Sequence, residues 1–109
     1  MLSSKSSKTA FEDIDTRSYL DRVAALELTK WSYKTEQDVS HIGPMAEDFF
    51  AAFGHGPSEQ SISTVDSDGV ALAAIQGLYE LVQEQQALLA GLRTENELMR
   101  AMMERAGLE

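Results

Sequence analysis

The sequence predicts an α+β fold: a small mixed body of short helices and strands, followed by a long C-terminal helix that forms an oligomeric coiled coil. Three observations favour this fold. Residues 11–69 hold short apolar runs whose spacing changes between helical and strand-like. From residue 70 a heptad apolar repeat continues almost to the chain end. The first residues are mostly Ser and Lys, which bury little. We therefore expect a flexible or extended lead-in at residues 1–10, a body at 11–69 and an oligomerisation helix at 70–109.

The body is predicted to begin with a helix and then a strand. Asp15 is a favourable helix N-cap, because a carboxylate accepts the free amides of the first turn. The apolar residues after it share one side of a helix. They are Tyr19, Leu20, Val23 and Leu26. The next segment, LTKWSY at residues 28–33, has the spacing of a strand.

A second strand and a second helix are predicted in HIGPMAEDFFAAFG, residues 41–54. The helix is expected to start at Pro44, to place Met45, Phe49 and Phe53 on its apolar face, and to stop at Gly54.

One more β-rich stretch is predicted before the long helix. It is SISTVD, residues 61–66, and it leads into a turn at residues 66–69. In this turn Asp68 is expected to cap the long helix.

The long helix carries its heptad repeat in a pattern that can be counted. With Ile75 at the first position a, eight of the ten a and d residues are apolar, and further apolar residues at g widen the stripe. The a residues are Ile75, Val82, Leu89, Asn96 and Met103; the d residues are Leu78, Gln85, Leu92, Met99 and Ala106; the apolar g residues are Leu81, Leu88 and Met102. Gly77 and Gly91 fall at the outer c position, where each costs about 1 kcal/mol relative to Ala.

This stripe predicts self-association. A body of about sixty residues can hardly cover a helix on the order of 55 Å long, so packing on its own domain alone is the weaker alternative. Ile and Val at a with Leu at d favour two strands, whereas the wide g side favours more than two.

Composition excludes several classes of function. The formal net charge of -9 disfavours nucleic acid or an anionic membrane as a partner, and no apolar run approaches the roughly 20 residues that span a bilayer. There is no Cys, so thiolate metal sites are excluded. We expect no metal and no cofactor, with His41 structural and Asp68 a cap rather than a calcium ligand. The chain is predicted not to be a metabolic enzyme.

The order of several short motifs resembles a known family. They are a W-x-Y pair at Trp31, an H-x-G-x-x-A-[QE]-[DE] segment from His41, and D-x-D-G-V from Asp66 before the helix. Together they resemble the intramolecular chaperone domain at the C-terminus of phage endosialidases, tail spikes and tail fibres. Glu47 stands where Gln is commoner in that family. The resemblance implies a domain that trimerises, helps the preceding stalk or β-helix of its own polypeptide to fold, and then cuts itself off.

The resemblance also implies catalytic residues in the lead-in. The family's cut uses a Ser and a Lys five residues later, and SSKSSK supplies these as Ser3 and Lys8, with the scissile bond between Leu2 and Ser3. Ser4 stands where Asp is common. A Lys can activate a Ser only if burial or a neighbouring charge lowers its pKa from about 10.4 towards 7 or 8. Such activation has to wait for docking on an assembled body.

The resemblance therefore implies a homotrimeric chaperone with single-turnover serine peptidase activity. The alternatives are a trimerisation cap that never cleaves and an adaptor that binds another protein through its helix. The implied place of action is the host cytoplasm during fibre assembly, or the virion; for a bacterial source it stays open. Since only Met1 and Leu2 precede Ser3, we expect a released product, a shortened piece of a longer protein, or a stand-alone reading frame.

Overall fold

The computed structural model describes residues 2–108. Met1, the first residue of the predicted lead-in, and Glu109, the last residue of the predicted helix, lie outside the described residues. In order it contains a 3-10 turn (Lys5–Ser7), α1 (Thr16–Ala25), β1 (Thr29–Trp31), β2 (His41–Gly43), α2 (Ala46–Phe53) and α3 (Thr64–Arg105). The described chain is elongated, about 74 Å in its longest dimension. The predicted α+β fold with a long C-terminal helix is confirmed, while oligomerisation stays a prediction.

Helix α1 begins where the sequence predicted it. The Asp15 carboxylate accepts hydrogen bonds from the amides of Arg17 and Ser18, at 3.2 and 3.3 Å, and so satisfies two of the free N–H groups of the first turn. The four apolar side chains predicted on one face are all half-buried. Through this face α1 packs against the core and against α3.

The two strands form an antiparallel hairpin, and in the described structure its backbone does not lie close to the backbone of any helix. Its register pairs Thr29 with Gly43 and Trp31 with His41. The aromatic rings of Trp31, Tyr33 and His41 pack together, with centroids 4.8 to 5.4 Å apart. The hairpin is therefore held by its own backbone pairing and by this cluster.

Helix α2 supplies the centre of a small core. Phe49 and Phe53 are 4% and 7% exposed and pack with Val70 of α3. Gly54 ends the helix in a left-handed conformation, with φ of 64°, as predicted from the sequence. The predicted start was wrong by two residues, because Met45 is the N-cap and Ala46 the first helical residue.

Helix α3 begins earlier than the sequence predicted. It starts at Thr64 with Ser63 as N-cap, so the predicted β-rich stretch forms no strand and residues 66–69 form no turn. Asp68 lies inside the helix and does not cap it. Asp66 lies in the first turn of the helix, where a carboxylate interacts favourably with the positive end of the helix dipole.

Helix α1 crosses α3 at Gly77, which is buried. A Cβ built at this position would lie 2.5 Å from the Thr16 carbonyl oxygen and 3.0 Å from the Leu20 Cβ. The absence of a side chain therefore lets the two backbones approach closely. The prediction that Gly77 lies on the outer side of the helix was wrong, because the side away from the heptad stripe is the side that faces the body.

Gly77→Ala is expected to lower the free energy of unfolding by about 1–3 kcal/mol, because the new methyl group would overlap the Thr16 carbonyl oxygen and push α1 away from α3. Urea unfolding followed by circular dichroism at one protein concentration measures the change.

The matched control is Gly91→Ala in the same helix. A Cβ at residue 91 meets nothing within 4 Å, so this substitution should stabilise by up to about 1 kcal/mol through helix propensity alone. Equal stabilisation by both substitutions would show that α1 does not lie against Gly77.

Candidate functional site

Ser3 and Lys8, the two residues predicted to be catalytic, lie together in the structure. The Nζ atom of Lys8 donates a hydrogen bond to Oγ of Ser3 over 2.9 Å. Five residues of extended chain would span about 17 Å, so this contact requires the chain to fold back between them. Their catalytic roles stay a prediction.

A single 3-10 turn, Lys5–Ser7, folds the lead-in back. The amide of Ser7 donates to the Ser4 carbonyl oxygen at 3.0 Å, and the amide of Lys8 donates to the Lys5 carbonyl oxygen at 3.3 Å. The Oγ atom of Ser4 accepts the amide of Ser6 at 3.3 Å and so caps the turn. The sequence did not predict this turn, because a run of Ser and Lys has no apolar periodicity.

Ser3 and Lys8 are both exposed to solvent. Every residue from Leu2 to Ala10 is exposed, and the hydrogen bonds of the turn all lie within the lead-in. A Lys accepts a proton only in its neutral form, which burial or a nearby cation favours. The single chain thus holds the two groups in hydrogen-bond contact but does not bury them.

The second candidate site is the heptad stripe of α3, which we call the seam. Residues of α3 that face the body are buried (Val70, Ala73, Ala74 and Gly77), and the seam residue Leu81 is half-buried, whereas the other large seam residues are exposed. Ile75 and Leu89, for example, are 60% and 53% exposed. The large seam residues that are exposed are Ile75, Leu78, Val82, Leu88, Leu89, Leu92, Met99, Met102 and Met103.

From Val82 onwards the body does not bury any described residue of the helix. Each described residue from Val82 to Leu108 is exposed. Side-chain contacts between α1 and α3 end near Glu80, which accepts the Thr16 hydroxyl at 2.9 Å, and Glu84, which forms an ion pair with Arg17. A contiguous apolar stripe of this length on a free helix marks a protein–protein interaction surface.

The two histidines lie in aromatic surroundings. His41 packs against Trp31 and Tyr33 in the hairpin cluster. His55 is exposed, but it also stacks on Tyr19 with centroids 5.9 Å apart and shares a hydrogen bond with the Tyr19 hydroxyl. This contact joins the loop after α2 to α1 and was missed, since residues 36 positions apart in sequence give no local signal.

Within residues 2–108 no group of three or more His, Asp or Glu side chains is arranged to hold a metal ion. In the same range, none of the helices combines the length and the apolar character that crossing a membrane requires.

Comparison with known proteins gives one family. Residues 3–55 match the family model described as chaperone of endosialidase, a segment just under half of the chain that contains Ser3, Lys8, both strands and α2. Neither the curated proteins nor the solved structures gave a match. The family match supports a chaperone-type role and association with an upstream fibre or spike. Residues 3–55 of this chain thus match the model of the chaperone-of-endosialidase family, the family that their motifs resemble.

Proposed function

We propose that this chain is a C-terminal intramolecular chaperone that trimerises through the α3 seam, assists the folding of an upstream stalk of its own precursor, and then releases itself by cleavage before Ser3. The family match supports the chaperone role. The observation that carries the release step is the hydrogen bond from Lys8 Nζ to Ser3 Oγ. We propose the host cytoplasm during fibre assembly, or the virion, as its place of action.

Self-association follows from the exposed seam. Full burial of a Leu, Ile or Val side chain stabilises by about 1.5–3 kcal/mol. The free energy gained by burying all the exposed seam side chains therefore exceeds the roughly 4–15 kcal/mol that association costs. The core within one chain is small, since its buried apolar residues are Phe49, Phe53, Val70, Ala73 and Ala74 among those described. Three strands suit the additional apolar residues at g better than two.

The proposed reaction uses groups that are already adjacent. Lys8, as a neutral amine, accepts the proton of the Ser3 hydroxyl while Oγ attacks the Leu2 carbonyl carbon. The C–N bond between Leu2 and Ser3 breaks, and the Ser3 nitrogen takes the proton from Lys8. Leu2 is then an ester of the Ser3 hydroxyl, which water hydrolyses to a carboxylic acid and the free hydroxyl.

Cleavage is proposed to follow assembly. Ser3 and Lys8 are exposed in the single chain, so the burial that favours a neutral Lys has to come from other chains or from the stalk. This order would make release a consequence of correct folding. The same exposure also favours the second candidate, a trimerisation cap that does not cleave.

The chain is expected to be a trimer at micromolar concentration, as measured by light scattering. Leu89→Glu should dissociate it, because the substitution places a carboxylate from each chain in one apolar layer of the seam.

Ala87→Glu is the matched control. Residue 87 falls at the outer f position two residues earlier, so it adds the same charge outside the seam and should leave the trimer intact. A monomeric wild-type chain, or equal dissociation by both substitutions, would remove the seam from the proposal.

Self-release is tested in a precursor with a β-helical stalk fused ahead of Ser3. Mass spectrometry should find a fragment that begins at Ser3 in the wild type, and none in Ser3→Ala, which lacks the nucleophile. Lys8→Arg should also stay uncut, because a guanidinium keeps its proton at working pH. Both variants should still trimerise.

Two substitutions in the lead-in serve as controls for this experiment. Lys5→Arg changes a second Lys and Thr9→Ala removes a second hydroxyl, both outside the Ser3–Lys8 pair, and both variants should still be cut. Normal cleavage of Lys8→Arg would exclude Lys8 as the base, and an uncut wild-type trimer would favour the non-cleaving cap.

A further inference from the structure

We propose that Ser4 is a positioning residue for self-release: as the N-cap of the 3-10 turn, it holds Lys8 against Ser3. This inference rests on the proposed function and assigns to Ser4 a role that does not require a charge. It also explains how the contact between Ser3 and Lys8 forms although residue 4, which follows the nucleophile, is Ser and not Asp.

The argument begins with the bonds that Ser4 makes. Its Oγ accepts the Ser6 amide at 3.3 Å and lies 2.9 Å from the Ser6 Oγ. Its carbonyl oxygen accepts the Ser7 amide at 3.0 Å and the Ser7 hydroxyl at 3.2 Å. Ser4 is thus the residue on which most hydrogen bonds of the turn converge.

The turn has little else to stabilise it. A single 3-10 turn is too short to be stable through its backbone bonds alone, because fixing the first residues costs more entropy than one bond returns. None of its three residues is buried, and its described hydrogen bonds all lie within residues 3–8. A side-chain cap therefore contributes a large share of the turn's stability.

The 3-10 turn also sets the distance between Lys8 Nζ and Ser3 Oγ. Ser3 directly precedes the cap, and Lys8 directly follows the last residue of the turn. If the turn opens, the two residues move apart towards extended spacing, and the hydrogen bond from Nζ to Oγ is lost. Ser, Asp and Asn are the three strongest N-caps, so the capping role is common to Ser4 and to an Asp in its place.

Cleavage rates of the stalk-fused precursor test this role. Ser4→Ala removes the cap and is expected to slow release about fivefold, which corresponds to a typical loss of capping free energy. Ser4→Asn keeps a neutral cap and should restore the wild-type rate. Thr9→Ala is the control, because it removes a hydroxyl of the lead-in that lies outside the turn and makes no hydrogen bond with Ser4.

The dependence of rate on pH separates positioning from proton transfer. In Ser4→Ala and Ser4→Asn the midpoint of the profile should stay at its wild-type pH, since neither substitution adds a charge beside Lys8, and only the maximal rate should fall in the alanine variant. A wild-type rate in Ser4→Ala, or a slow Ser4→Asn, would overturn the inference. Light scattering checks that each variant assembles equally.

A measurement without cleavage keeps this inference separate from the proposed function. In NMR spectra of the full chain, wild type and Ser4→Asn should show helical Cα shifts over Lys5–Ser7 and a nuclear Overhauser contact between the Lys8 and Ser3 side chains. Ser4→Ala should lose both. If the wild-type precursor stays uncut, self-release fails, yet these spectra still decide the role of Ser4: equal spectra in all three proteins would overturn it.

Discussion

The close packing of α1 on α3 at Gly77 is the contact on which the rest of the structure depends. Because residue 77 has no side chain, the Thr16 carbonyl lies where a Cβ would otherwise sit. At that separation the side chains of Thr16 and Arg17 reach Glu80 and Glu84. One face of α3 is thereby occupied by the body, and its apolar seam is left on the outside.

Elements defined by local chemistry could be predicted from the sequence. The Asp15 cap, the Gly54 stop and the strand at Trp31 each depend on residues within a few positions of one another. The start of α3 could not, because Ile62 and Val65 favour a strand by propensity, whereas in the structure Ile62 packs against the helical core and Val65 lies within α3. The Gly77 contact was missed for a related reason, since it joins residues far apart in sequence.

The candidate site shows the same division. Ser3 and Lys8 could be named from a motif, because their identity and spacing are properties of the sequence alone. Whether they touch depends on the backbone between them, and that backbone is folded by weak caps that hydrophobic periodicity does not reveal. The seam could be located from the sequence, because a heptad repeat records which residues share one side of a helix, whereas its contact with a partner stays a prediction.

The separation of the β1–β2 hairpin from the helices has a consequence for the dynamics of the chain. A two-stranded hairpin has marginal stability on its own, and in the described structure the backbone of this one lies away from the helices. We therefore expect it to open by a local fluctuation that costs less free energy than unfolding of the helical core. Amide protons of residues 29–31 and 41–43 should then exchange with solvent faster than those at the α1–α3 crossing.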